Sequence, residues 1–358
     1  MAKLRTVELG RGLAAGAVVL FHANISAGRE GLASFSWLVP LQQGVDFFFV
    51  LSGFIIFYVH HGDIGRSERA GPYLIKRAIR LYPVLWIIAG SWLLLRALFG
   101  EPASMATVTT SLLLHPSSAE PMPVVVWTLR HELLFYAAFT VAILNRKVGL
   151  SLFILWTLGV LAQMLLIALG RPLEGIPAML LSSYELHFAF GAVLALVAPR
   201  VKLYSWWPLA LGLVMVLALS WASLEFGLAR HGAHDYTSRG NLFVPVVGFA
   251  FAVVLFGLLC IEDRVRMPGW AMLLGGASYA IYLVHSPIIA ATHLVAGWLG
   301  NGMGHLLIFG AGIAGGIVFH LAVEKRVTAG LRNILLPRRR SPEAVEPVHV
   351  LPGAMRDP

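Results

Sequence analysis

Long apolar runs separated by short polar stretches follow one another along almost the whole chain. None of them alternates apolar and polar residues with the period of two that a membrane barrel strand shows. Each run is close to the 20 residues that a helix needs to cross the hydrocarbon core. The pattern predicts ten transmembrane helices, at residues 9–25, 41–59, 81–99, 124–144, 150–169, 176–198, 206–226, 242–261, 272–298 and 306–323. The Thr-rich segment 104–114 is too short for a further span and is predicted to be an amphipathic or re-entrant piece in an external loop.

Composition agrees with this pattern. The 358 residues are 58% hydrophobic and 13% charged, with a mean hydropathy of +0.77, whereas soluble domains are about 25% charged. A single soluble core is therefore excluded. The one cysteine, Cys260, excludes an internal disulfide and a multi-cysteine metal or redox centre. We predict an all-α polytopic membrane protein in which residues 1–336 form a single domain and residues 337–358 form a disordered cytoplasmic tail.

The basic residues are distributed unevenly between the predicted loops. If the N-terminus is cytoplasmic, twenty Lys and Arg residues fall in inner segments, and two, Arg11 and Arg130, fall inside spans. Five fall in outer segments, namely Arg29, Arg96, Arg171, Arg230 and Arg239. Positive charge favours the cytoplasmic side of a membrane. The bias predicts that both termini are cytoplasmic and that the chain is a multi-pass protein of the inner membrane. The preference of basic residues for the cytoplasmic side of the lipid bilayer also accounts for the net charge of +9, so no nucleic-acid partner is needed to explain it.

The first two predicted spans contain polar residues that lipid should exclude. Arg11 and His22 are eleven residues apart, which returns to within about 20° of the same helix face and covers about 16 Å of depth. Asp46 is predicted to lie at the depth of His22, where its carboxylate would orient the imidazole. Buried polar groups in a membrane are functional candidates. The structural alternatives are that Arg11 reaches the inner surface, that His22 is a packing residue and that Asp46 caps its helix.

A basic pair precedes the third predicted span. Arg77 and Arg80 lie three residues apart, on one face of a predicted helix start. Guanidinium groups match phosphate oxygens, and a helix N-terminus adds a favourable dipole. The pair therefore indicates a phosphate site, and its alternative role is that of a topology anchor.

The fourth span places the carboxylate of Glu132 near its centre, with Thr128 four residues earlier on the same face and Trp127 beside it. Arg130 and His131 are the expected partners of Glu132, and a structural Arg–Glu pair is the alternative to a functional role.

In the ninth span, Ser278, Tyr282 and His285 align on one face at i, i+4 and i+7 and indicate a hydrophilic cavity. Glu324 lies beside Lys325 and Arg326 at the inner end of the last span. An interfacial ion pair with these two neighbours would explain it.

Taken together, these residues resemble the acyltransferase-3 family of bacterial integral-membrane acyltransferases. The closest resemblance is to its shorter exopolysaccharide O-acetyltransferase members, without the periplasmic hydrolase-like domain of longer ones. The shared elements are the spacing of Arg11 and His22, GVDFFFVLSGF at 44–54, the Arg77-x-x-Arg80 pair before LYP, WTLxxE ending at Glu132 and SYxxYLxH ending at His285.

The resemblance implies a transferase that uses cytoplasmic acyl-CoA, with acetyl-CoA the expected co-substrate. The acceptor would be a hydroxyl of a surface or exported glycan, or of its lipid-linked saccharide precursor. It also implies that His22 is the essential histidine and that Arg77 and Arg80 lie near the acyl donor. No bound cofactor and no metal are expected.

The chemistry of the residues is compatible with this activity. Acyl transfer to an alcohol needs a base for the hydroxyl and positive charge for the developing oxyanion. No GxSxG motif and no reactive cysteine indicates an acyl-enzyme nucleophile, so direct attack on the thioester is the preferred mechanism. Arg77 and Arg80 would hold the CoA phosphates, Arg11 would hold a phosphate or stabilise charge, and His22 would activate the acceptor. A cavity is expected to lead from the inner basic pair toward His22.

Two other classes of protein compete with an enzyme. A transporter of a lipid-linked sugar, an acyl group or an anionic solute would use the same buried charges as a relay, although the sequence has no obvious inverted repeat. A scaffold protein would leave Arg11, His22, Asp46 and Glu132 without a purpose.

Overall fold

The computed structural model of the chain describes residues 4–29, 31–201, 204–228, 235–296 and 300–336, so the predicted tail at 337–358 lies outside it. It is 82% helical and has no strand among the described residues. The helices are α1 (Arg5–Arg29), α2 (Gly44–His60), α3 (Ala70–Leu98), α4 (Met105–Leu113), α5 (Trp127–Leu144), α6 (Arg146–Ala168), α7 (Gly175–Leu180), α8 (Glu185–Val197), α9 (Trp207–Glu225), α10 (Val244–Cys260), α11 (Gly269–Ala296), α12 (Gly300–Phe319) and α13 (Lys325–Leu335).

The predicted spans agree with these helices. Within the described part of the chain, nine helical segments are long and apolar enough to cross a bilayer. They coincide with the second to tenth predicted spans. The first predicted span corresponds to α1, whose 25 residues include Arg11, His22 and Asn24. The all-α polytopic architecture is confirmed. Which end of the bundle faces the cytoplasm stays a prediction, and we call the end that holds Arg5, His60 and Lys325 the basic end.

The segment between α3 and α5 does not form a span. It forms the nine-residue helix α4, which begins where the Ser104 hydroxyl accepts a hydrogen bond from the backbone N–H of Thr107 at 3.1 Å. A serine at this position satisfies one of the free N–H groups of a first helical turn. The prediction of a short helical piece outside the spans agrees with this geometry.

The helices differ in how much of their surface the protein covers. In α6 and α9, 17% of the most apolar window is buried, compared with 67% in the spans that contain α2 and α5. Side chains that face lipid need no protein partner because lipid tails are themselves apolar. Helices α6 and α9 therefore form part of the lipid-facing rim, and α2 and α5 lie at the centre of the bundle.

Helices α2 and α8 pass each other at backbone contact. A Cβ atom at Gly191 would lie 1.9 Å from the carbonyl oxygen of Val50, and one at Gly53 would lie 2.1 Å from that of Phe188. Only glycine fits at such distances, as is usual where membrane helices pack closely. These two glycines set the distance between the central helix α2 and its neighbour.

Replacing Gly191 with valine should destabilise the bundle, because the added side chain would overlap the carbonyl of Val50. Overpacking of this kind costs about 1–3 kcal/mol. Gly90→Val is the matched control, since no atom lies within 4 Å of the position that its Cβ would take. Thermal unfolding of the detergent-purified variants measures the difference. Equal melting temperatures for the two variants would contradict the prediction.

Candidate active site

A central cavity of about 240 Å³ lies between α1, α2, α3, α5 and α11. Most of the predicted site residues line it: Arg11, Arg77, Arg80, Thr128, Glu132, Ser278 and Tyr282. His22, Asp46, Trp127 and His285 are not part of the lining. Residues that are up to 271 positions apart in the chain, such as Arg11 and Tyr282, thus face one space.

Arg80 is held from two directions at the cavity wall. Its Nη1 donates to Oε1 of Glu324 at 3.0 Å, and its Cζ lies 4.6 Å from the centre of the Tyr279 ring. The other oxygen of Glu324 lies 2.6 Å from Nδ1 of His320, and both residues belong to a π-helical turn between α12 and α13. Glu324 therefore pairs with Arg80 across the bundle. The expected ion pair with its sequence neighbours Lys325 and Arg326 is wrong.

Arg77 has a different kind of partner. Its Nη2 donates to Nε2 of His60 at 3.1 Å, and its Cζ lies 5.5 Å and 5.6 Å from the ring centres of Tyr73 and Tyr136. Nδ1 of His60 lies 2.7 Å from Oδ2 of Asp63. No described carboxylate forms an ion pair with Arg77.

The two arginines lie inside a helix and not at its start. Helix α3 begins at Ala70 and continues through Pro83, so Arg77 and Arg80 occupy its second and third turns. The predicted contribution of a helix N-terminus to anion binding is wrong, because that effect is confined to the first turn. The guanidinium groups themselves give the cavity its positive charge.

Arg11 adds a third guanidinium to the cavity. Its Nη1 donates to Oε1 of Glu8 at 3.2 Å, one helical turn earlier. Glu132 is the carboxylate in the lining. Three guanidinium groups therefore face a cavity with one acidic residue in its described lining, and two of them, Arg11 and Arg80, pair with carboxylates outside that lining.

Glu132 has hydroxyl partners. The Tyr136 hydroxyl donates to Oε1 of Glu132, and the Ser52 hydroxyl donates to the same oxygen at 3.4 Å. The expected partners Arg130 and His131 face elsewhere, because neighbours in a helix point about 100° apart.

Arg130 donates to the carbonyls of Ser117 and Ala119, both at 2.8 Å. Nδ1 of His131 lies 2.7 Å from Oε1 of Glu185. The predicted Arg–Glu pair of α5 is wrong, and Arg130 holds the loop that precedes α5.

At the end away from Arg77, aromatic rings close the cavity. The Tyr282 hydroxyl lies 2.9 Å from Oγ1 of Thr128 and donates to the carbonyl of Val125 at 3.0 Å. Phe48 packs against Tyr282 edge to face, with 6.1 Å between ring centres. The ring of His285 lies 5.9 Å beyond Tyr282. Tyr282 therefore separates the cavity from the two histidines described next.

His22 and His285 form a pair of facing rings, 5.0 Å apart. Nδ1 of each ring bonds to the carbonyl four residues earlier, at 3.1 Å for His22 and 3.0 Å for His285. A carbonyl only accepts, so both Nδ1 atoms hold a proton and, in neutral rings, both Nε2 atoms offer a lone pair. His22 thus has the tautomer that a base requires, and it lies two rings beyond the cavity.

Asp46 lies far from the predicted position beside His22. Gly44, two residues earlier, packs on the carbonyl of Ala14, eight residues before His22 and about 12 Å below it along α1. The 3₁₀ turn Ser36–Gln43 precedes α2 and extends the second span, so Asp46 is deeper than its place in the apolar run indicated. Oδ1 of Asp46 lies 2.9 Å from Nε2 of His187, and both side chains are fully buried.

Several residues of the site were not predicted from the sequence. Ser52 and Tyr279 lie inside motifs already singled out, and Tyr136 follows Glu132 at i+4, so helical periodicity could have found all three. His60 and His187 gave no comparable signal because their partners come from other turns and helices. No group of three or more His, Cys, Asp or Glu residues among those described could hold a metal ion.

The fold and cavity define a polytopic membrane protein that brings guanidinium groups, a carboxylate and hydroxyls together in a cavity within its helices. The model of the acyltransferase-3 family, an acyltransferase domain, matches residues 4–324. The chain belongs to this family and is a membrane acyltransferase, which excludes the transporter as its class. It is similar to exopolysaccharide production protein ExoZ of Rhizobium meliloti (strain 1021), with 30% identity over 348 residues that cover 87% of this chain and 98% of the relative. No solved structure matches the chain.

Mutating Asp46 and His187 should have non-additive effects on stability, since each is the buried partner of the other. Removing one member deprives the other of a buried hydrogen bond to a charged or ionisable group, which costs about 1.5–3 kcal/mol. Thermal unfolding of Asp46→Ala, His187→Ala and the double variant gives the coupling. Additive shifts in melting temperature would show that the pair does not contribute as a unit.

Proposed function

We propose that the chain transfers an acyl group, acetyl by family resemblance, from cytoplasmic acyl-CoA to a hydroxyl of an exopolysaccharide or its lipid-linked precursor. The observation on which this rests is the central cavity, which combines Arg11, Arg77 and Arg80 with Glu132 and several hydroxyls inside an acyltransferase domain. The name of the similar protein, exopolysaccharide production protein, supports the class of acceptor. The positive-inside bias supports an inner-membrane location with the basic end toward the cytoplasm.

The donor would enter from the basic end. CoA has phosphates at one end and the thioester at the other, so a basic entrance and a less charged interior suit its two parts. Arg77 and Arg80 would bind the phosphates, since guanidinium groups bond phosphate oxygens in a bidentate manner. The cavity, closed by Phe48 and Tyr282, would hold the pantetheine arm and the acyl group.

His22 would act as the general base. In the reaction, its Nε2 takes the proton of the acceptor hydroxyl while the hydroxyl oxygen attacks the thioester carbonyl. The C–O bond forms and the C–S bond breaks, and the CoA thiolate then takes the proton from His22. Because His22 lies beyond Tyr282 and His285, this scheme requires the thioester to extend past the Tyr282 ring when the donor is bound.

Comparing the surface polysaccharide of cells with and without the gene tests the function. Mass spectrometry of purified polysaccharide should show that acyl groups are lost with the gene and return when it is restored. Each lost acetyl group lowers the mass by about 42 Da. Unchanged acylation of every surface polysaccharide would refute the proposal.

Replacing His22 with alanine should lower turnover by about 10² to 10⁴, the usual contribution of a general base. Release of CoA from acetyl-CoA in the presence of acceptor polysaccharide is the measurement. The exposed His61 provides the matched control, and His61→Ala should retain wild-type turnover. Both variants should be recovered from membranes in normal amounts and should bind acetyl-CoA. More than about a tenth of wild-type turnover in His22→Ala would remove His22 from the mechanism.

Replacing both Arg77 and Arg80 with alanine should raise KM for acyl-CoA far more than KM for the acceptor. Lysine at both positions should restore part of the affinity, because it keeps the charge but loses the fork of two N–H donors. Arg66 and Arg69 lie exposed at the same end, so their double alanine variant controls for the general loss of charge. An unchanged KM for acyl-CoA would reduce the pair to a topology anchor.

A further inference from the structure

We propose that His60 is a positioning residue that aims Arg77 at the acyl donor without neutralising its positive charge. The inference rests on the proposed function, because it names the residue that prepares the donor site for an anion. His60 ends α2, seventeen residues before Arg77, and belongs to none of the motifs that the sequence offered.

The three arginines of the cavity differ in the charge of their partners. Arg11 pairs with the carboxylate of Glu8, and Arg80 pairs with that of Glu324. Arg77 instead donates to the ring nitrogen of His60. A neutral imidazole accepts a hydrogen bond but brings no negative charge. Arg77 is therefore the cavity arginine that has no carboxylate partner among the described ion pairs, and its positive charge remains available to a ligand.

The two partners of His60, Arg77 and Asp63, are consistent with one tautomer of its neutral ring. A guanidinium only donates, so Nε2 of His60 must offer its lone pair to Arg77. The proton of the neutral ring is then on Nδ1, and it points to Oδ2 of Asp63 at 2.7 Å. Asp63 lies on the far side of the ring and its side chain is 25% exposed. Asp63 holds the ring in the orientation that Arg77 needs, while the imidazole stands between the carboxylate and the guanidinium.

The surroundings fix both side chains. The His60 ring packs edge to face on Tyr73, with 5.0 Å between centres, and the Arg77 guanidinium lies near the rings of Tyr73 and Tyr136. The Nε atom of Arg77 is buried and has no hydrogen-bond partner among the described residues. A buried guanidinium N–H without an acceptor beside a cavity indicates that a ligand oxygen completes the set.

A purely structural role for His60 predicts different behaviour. If His60 only packs between α2 and α3, its replacement should change the melting temperature and lower the amount of active enzyme. If it acts through Arg77, its replacement should weaken acyl-CoA binding in folded enzyme, and the effect should vanish once Arg77 is gone.

The test compares glutamine and asparagine at position 60 in the full-length, detergent-purified chain. The amide oxygen of glutamine reaches about as far from the backbone as Nε2 of histidine, whereas that of asparagine stops near Nδ1. His60→Asn should raise KM for acetyl-CoA about tenfold, the usual effect of a hydrogen bond to a charged group, with kcat within about twofold. His60→Gln should stay near wild type. The exposed neighbour gives the control, and His61→Asn should change neither constant.

Repeating His60→Asn in an Arg77→Ala background separates the two roles. No further rise in KM there supports positioning through Arg77. An equal rise in both backgrounds, an unchanged KM in the first, or failure of His60→Asn to fold would overturn the inference. If the wild-type enzyme releases no CoA from acetyl-CoA with acceptor polysaccharide from cells lacking the gene, the proposed function itself fails.

Discussion

A charge in the hydrocarbon core of a membrane is costly unless a partner compensates it, and this constraint organises the whole bundle. Arg11 is paired within its own helix, but Arg80 needs Glu324 from the other end of the chain, and Asp46 needs His187 from α8. Each cross-helix pair fixes the depth and rotation of two helices relative to each other. The close approach of α2 and α8 at Gly53 and Gly191 provides the room for one of these pairs to form.

The same constraint separates structural groups from those available to a substrate. Asp46 pairs with His187, and Arg130 donates to the carbonyls of Ser117 and Ala119, although Nε of Arg130 is buried without a described partner. The hydroxyl of Ser278, Nε2 of His285 and Nε of Arg77 are buried without a described partner. Leaving such groups unsatisfied costs free energy, so natural structures rarely keep them without a functional reason. Ser278 and Arg77 line the central cavity, and His285 lies beside Tyr282 at its closed end, whereas Nε of Arg130 and Nδ1 of His187 are unpartnered atoms away from it. A ligand bound in the cavity would supply acceptors or donors to the groups that line it.

The sequence was sufficient for the number, type and approximate limits of the spans, because hydropathy reports directly on the contact of a helix with lipid. It also identified seven of the ten polar or charged residues in the cavity lining, since helical periodicity places Thr128 with Glu132 and Ser278 with Tyr282. The partners could not be predicted. Asp46 and His187 are 141 residues apart, and Arg80 and Glu324 are 244 apart, so no local pattern connects them. The predicted depth of Asp46 was wrong because the 3₁₀ turn before α2 continues the apolar run without a break that the sequence would reveal.

The position of Tyr282 matters for the chemistry of a thioester inside a membrane. A passage open from one end of the bundle to the other would expose the thioester to water, and hydrolysis would compete with transfer. Tyr282 and His285 stand between the cavity and His22. Phe48 packs on Tyr282, which is held by Thr128 and the carbonyl of Val125. If the donor enters from the basic end, as we propose, these rings would keep the thioester away from the opposite end until an acceptor is in place. Because His22 lies outside the cavity, the base and the acyl group would then meet only when both substrates are bound.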